Sequence, residues 1–99
     1  MKEYFYLDES PIHQGWYCLR INNEEDWNVA GHGNFNILPA RILGLGYDHY
    51  LEYCRDTLGA RLLGKKCQIP YCLFKNNKAT QDFVKFLNKR TEITLNGKI

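Results

Sequence analysis

From Tyr47 onward the apolar side chains Tyr47, Tyr50, Leu51, Cys54 and Leu58 recur at i, i+3, i+4, i+7 and i+11. That spacing puts them on one stripe of an α-helix, and Gly59 follows where a left-handed C-cap is wanted. Asp48, Glu52, Arg55 and Asp56 form the opposite, polar side. A helix with one apolar stripe needs something to pack on, and the next residues provide it. Arg61–Gly64 and Ile69–Phe74 read as a hairpin turning at Gly64-Lys65-Lys66. Pro70 lacks an amide donor, which sets its strand at an edge or beside a bulge. Asn76 or Asn77 then caps a last helix whose inner face is expected to be Ala79, Phe83, Phe86 and Leu87.

The amino-terminal half reads as strands. Tyr4–Leu7 and Trp16–Ile21 are aromatic and β-branched runs separated by Asp8-Glu9-Ser10-Pro11. In the second run Tyr17, Leu19 and Ile21 share the face expected to meet the core. A third strand is expected from about Trp27 to Leu38, interrupted near Gly31-His32-Gly33. A short helical turn is expected within Ala40–Gly46, and Thr91–Ile99 reads either as a last short strand or as a frayed end. The 99 residues suit one core, so the expectation is a single α+β domain over residues 1–99. It would be a mainly antiparallel sheet with two helices packed on one face.

Composition removes several classes of function. At 44% hydrophobic, 24% charged and 14% aromatic the chain is globular in character rather than disordered. Met1-Lys2-Glu3-Tyr4-Phe5-Tyr6 lacks the apolar run of a signal peptide and no stretch reaches the length of a membrane span. A cytoplasmic, membrane-free setting is therefore expected, with the four cysteines as free thiols.

Enzymatic and metal chemistry find little support. Cys67-x4-Cys72 is wider than the usual zinc-ligand pairs, and a strand would turn the two sulfurs to opposite faces. His13, Cys18 and His32 add no paired spacing. Cys54 sits mid-helix on the apolar stripe, as an inert core thiol does, and Cys67 after Lys65-Lys66 has no base that can be named. His49, Tyr53 and Asp56 can share a helix face, which solvation alone explains. The glycine pairs lack both the P-loop continuation and dinucleotide spacing. No cofactor is expected and the chain reads as a non-enzyme.

Charge and aromatic content point instead to binding. Residues 1–33 hold two Lys/Arg against six Asp/Glu, and residues 34–99 hold eleven against five. Glu24, Glu25 and Asp26 make an acidic run able to mimic phosphates. Lys65, Lys66, Lys75, Lys78, Lys85 and Lys89 make a basic surface able to follow a phosphate backbone or an acidic groove, although Asp82 interrupts the row on the last helix. Seven Tyr, five Phe and two Trp exceed what a small core readily hides. Trp16 and Trp27, with Tyr53 or Tyr71, are thus candidates for a protein-binding patch.

The run Tyr50-Leu51-Glu52-Tyr53-Cys54-Arg55-Asp56, then Gly59–Lys65, Pro70-Tyr71 and Leu87-Asn88, resembles short uncharacterised open reading frames in phages and prophages of Gram-positive bacteria. The resemblance covers roughly the carboxy-terminal half and transfers no site residue. It implies a setting in which small proteins bind and redirect or block a host protein, including defence nucleases. The partner expected from all this is a host protein or ribonucleoprotein complex, such as a CRISPR effector, blocked at a nucleic-acid groove or a moving domain. The alternative is nucleic acid bound directly by the basic carboxy-terminal face. The oligomeric state is left open.

Overall fold

The computed structural model describes residues 4–22, 38–64 and 71–97, with side chains as far as residue 93. Within them the chain forms β1 (Phe5–Glu9), β2 (Tyr17–Ile21), α1 (Leu38–Leu43), α2 (Tyr47–Leu58), β3 (Arg61–Leu63), β4 (Tyr71–Leu73) and α3 (Lys78–Gly97). The α+β class is as the sequence predicts, with α1 as a third helix.

β1 and β2 pair antiparallel with Phe5 opposite Ile21 and Leu7 opposite Leu19, so these four side chains share one face. β3 and β4 form the second hairpin, with Leu62 opposite Cys72. Among the described residues the two hairpins are linked by a bridge in which Tyr17 and Phe74 exchange both backbone hydrogen bonds at 2.8 Å. Among the described residues β4 is therefore laddered with β3 along one side, and its hydrogen-bonded link to β2 is the bridge just beyond its own end. Pro70 lies outside the described residues. On β2 the expected division of faces is only partly kept: Ile21 is buried and Leu19 packs on the core, whereas Tyr17, Cys18 and Arg20 are all half-buried.

α2 buries Tyr50, Leu51, Cys54 and Leu58, which is the predicted stripe. Gly59 adopts φ 72°, where a side chain would be strained, and beyond it the Ala60 N–H donates to the Cys54 carbonyl at 2.9 Å. α1 replaces the carboxy-terminal end of the expected third strand. Leu38 is its first residue and Pro39 lies in its first turn, where a missing N–H costs nothing. The rest of that expected strand is outside the described residues.

α3 is capped by Asn77, whose Oδ1 accepts the Thr80 N–H at 2.8 Å while its Nδ2 donates to the Leu58 carbonyl at 3.3 Å. One side chain thus starts α3 and fastens it to the end of α2. The helix runs on through Gly97, so the residues read as a strand or a frayed end are helical up to that point.

The inner face of α3 differs from the expected one. Phe83 and Leu87 are buried, but Ala79 is exposed and Phe86 is 53% exposed. The buried row is Thr80, Phe83, Leu87, Asn88 and Thr91. Polar residues turn inward because two of them are satisfied there. Asn88 Oδ1 accepts the N–H groups of Tyr4 (2.9 Å) and Phe5 (2.6 Å), its Nδ2 donates to the Phe5 carbonyl (3.1 Å), and Thr91 Oγ1 donates to the Leu87 carbonyl (2.7 Å). Asn88 does for the edge of β1 what a neighbouring strand would do.

A candidate functional site along the last helix

The outward-facing Phe86 contributes to an apolar groove on the surface. Gly44, at φ 73°, ends α1 and turns the chain so that Leu45 points outward, with the Leu45 N–H donating to the Ala40 carbonyl at 2.9 Å. α2 presents Tyr53, which lies off the buried stripe, and α3 presents Phe86 and Arg90. Between these walls lies a groove of about 310 Å³, lined by Leu43, Leu45, Tyr53, Phe83, Phe86 and Arg90. Leu45 is 41% exposed and Tyr53 38%, and Ile93 continues the stripe two turns beyond Phe86 at 57%. The Tyr53 and Phe83 rings sit 5.7 Å apart at 49°, which fixes the floor.

The basic residues predicted for binding divide in two. Trp16 and Lys75 flank the Tyr17–Phe74 bridge, and the bridge brings them together, with Lys75 Nζ 4.2 Å from the Trp16 ring centroid. Trp16 is half-buried beneath this contact. Lys78 Nζ reaches Asp82 at 3.1 Å, as i, i+4 spacing allows. Lys85 and Lys89 are exposed and, like Arg90, form no ion pair with a described residue. On a helical projection they border the Phe86–Ile93 stripe on the side away from α2. Glu24, Glu25, Asp26, Trp27, Lys65 and Lys66 lie outside the described residues.

A second concavity of about 210 Å³ opens between β2, β4 and α2, walled by Tyr47, Tyr50, Tyr71, Phe74 and Pro39 with Cys72 among its lining. Burial pushes the Tyr47 phenol up to about 12, and it pushes the Tyr50 phenol well above its ordinary value. The Cys72 thiol, hydrogen-bonded to Cys54 and withdrawn from water, is likewise held protonated, while the same hydrogen bond lowers the pKa of the Cys54 thiol, which is fully buried. Neutral phenols and a protonated thiol are poor nucleophiles. Of the trio His49, Tyr53 and Asp56, two members are engaged elsewhere. Asp56 is held by its neighbour Arg55 at 2.8 Å, a hydrogen bond that lowers the carboxyl's pKa, and Tyr53 faces Phe83. Among the described residues no three His, Cys, Asp or Glu side chains are close enough to hold a metal ion, and no helix is long and apolar enough to cross a membrane.

Of the groove residues, only Tyr53 is a binding candidate from the sequence. Phe86 is hidden from such a reading because its one-turn distance from Phe83 makes it look like part of the buried row, and Leu45 because it falls between two glycines. Comparison with protein families, with curated proteins and with solved structures finds no match to the chain.

Proposed function

We propose that the protein is a non-enzymatic protein-binding module that docks its partner in the groove between α2 and α3. The observation that carries this reading is the exposed apolar row of Leu45, Tyr53, Phe86 and Ile93 beside Arg90. Aromatic residues and arginine around a concave apolar floor are the usual anchors of protein interfaces. In the phage setting that the sequence resemblance implies, the partner is a host protein or ribonucleoprotein complex. The module inhibits it by covering a nucleic-acid groove or a moving domain, as an anti-CRISPR protein does.

The test is affinity capture of the tagged protein from lysate of a Gram-positive phage host, run in parallel with a Tyr53→Ala/Phe86→Ala variant and with nuclease. A stoichiometric partner retained by the parent protein, lost by a variant with an unchanged melting temperature, and indifferent to nuclease supports the reading. A partner held equally by both proteins overturns it.

Direct nucleic-acid binding is the second reading, favoured by Lys85 and Lys89. Against it, Lys78 is engaged by Asp82 and Lys75 by Trp16, leaving a short basic track.

A further inference from the structure

We propose that the segment seated in this groove is an acidic amphipathic helix of a protein partner. This rests on the docking reading above and specifies its ligand. The shape argues for a helix. Phe86, Arg90 and Ile93 are spaced i, i+4, i+7 on α3, giving a straight wall about 10 Å long at 1.5 Å per residue. Tyr53 and Leu45 form the facing wall, with Phe83 between. A trough between helical walls with a two-turn repeat accepts the i, i+3/i+4, i+7 side chains of a third helix.

The charge argues for its acidity. Arg90 lines the groove itself, and Lys85 and Lys89 border the same wall without an ion pair to any described residue. Of the two acids on α3, Asp82 is occupied by Lys78, and Glu92 lies beyond Lys85 on the side away from the groove. A helix with Leu or Phe pointing into the groove and carboxylates along the flank over α3 would satisfy all three cations. The same charges oppose a second copy of this chain, because a two-fold contact through α3 sets Lys85, Lys89 and Arg90 against their equivalents. They also distinguish the groove from a phosphate track, whose ligand would gain nothing from Tyr53, Leu45 and Phe86.

The probes are three fluorescein-labelled helical peptides with identical Leu and Phe positions at i, i+4 and i+7. Their flanking positions are all Glu, all Gln or all Lys, and binding is read by fluorescence anisotropy at low salt. The Glu peptide is expected to bind at least about tenfold more tightly than the Gln peptide, with the Lys peptide weakest. Lys85→Glu/Lys89→Glu should invert that order, and Phe86→Ser should weaken every peptide about tenfold with the melting temperature unchanged. Equal affinity for the three peptides, no binding of any, or indifference to Phe86→Ser overturns the inference. So does a dimer in sedimentation that Phe86→Ser dissolves, or a DNA duplex that competes with the Glu peptide and is released by Lys85→Glu/Lys89→Glu but not by Phe86→Ser. The docking reading fails separately: it falls when a captured partner ignores Tyr53→Ala/Phe86→Ala, and it stands when capture depends on those residues while the peptides show no charge preference.

Discussion

Asn88 shows how much one side chain can hold. Buried on α3, it meets two N–H groups and one carbonyl of the first strand, across 83 and 84 positions of sequence. Asn88→Ala leaves those groups without partners, two of them in a buried site, a loss of about 3 kcal/mol that urea unfolding would register. Thr80 is the converse case. Its Oγ1 is buried with no hydrogen-bond partner, so Thr80→Val keeps the shape and removes a desolvated hydroxyl. That variant should be more stable by about 1 kcal/mol in the same assay. The Tyr47 phenol offers a pH test. Burial lifts it from 10 in the unfolded chain to about 12 in the fold, so above pH 10 the unfolded chain releases its proton while the folded chain keeps it. Its stabilising contribution is complete below pH 10 and is lost as pH climbs toward 12. Urea midpoints should fall over that window, and less steeply in Tyr47→Phe. The roles of Asn88 and Thr80 are not visible in the sequence, because a Thr or Asn in a helical repeat carries no mark of whether it faces water or the core.

At the scale of elements the sequence is far more readable. The stripe from Tyr47 to Leu58 with Gly59 behind it, the two amino-terminal strands, the hairpin of β3 and β4, and a cap at Asn76 or Asn77 all follow from spacing and from residues that tolerate few conformations. What misleads is the assumption that apolar means inward. On α3 it places Ala79 and Phe86 in the core, where the structure has Thr80, Asn88 and Thr91. Helical periodicity is the same for both rows, and the buried row is the one whose Asn88 meets the hydrogen-bonding groups of β1. Asn77 also acts between elements, since it caps α3 and holds the Leu58 carbonyl of α2. Asn77→Ala should cost about 1 kcal/mol from the lost cap. Asn77→Asp keeps the cap acceptor while losing the donor to Leu58, and should recover most of that loss in thermal melts.

For the whole molecule, charge arrangement matters more than net charge. The chain totals only +2, yet its acidic run lies early and its lysines late, and Lys85, Lys89 and Arg90 converge beside an apolar trough. If that face serves a protein surface rather than a phosphate backbone, duplex DNA should bind feebly. Gel shifts at low salt should vanish by physiological ionic strength, with a salt slope worth two or three phosphates at about 0.9 per contact. A steep slope with retained binding at 150 mM salt would reverse that assignment. The sequence makes the basic face visible but not the trough, because the trough depends on a turn at Gly44 and on which way α3 rotates about its axis.

The contact between Asn88 and the first strand also orders events during synthesis. β1 leaves the ribosome before α3, and the residue that satisfies its backbone is made more than eighty positions later. Until then Phe5 and its pairing edge stay uncovered in the crowded cell. Completion of that edge must wait for α3 to emerge, and nascent chains stalled before Asn88 leave it open to chaperones, proteases and aggregation.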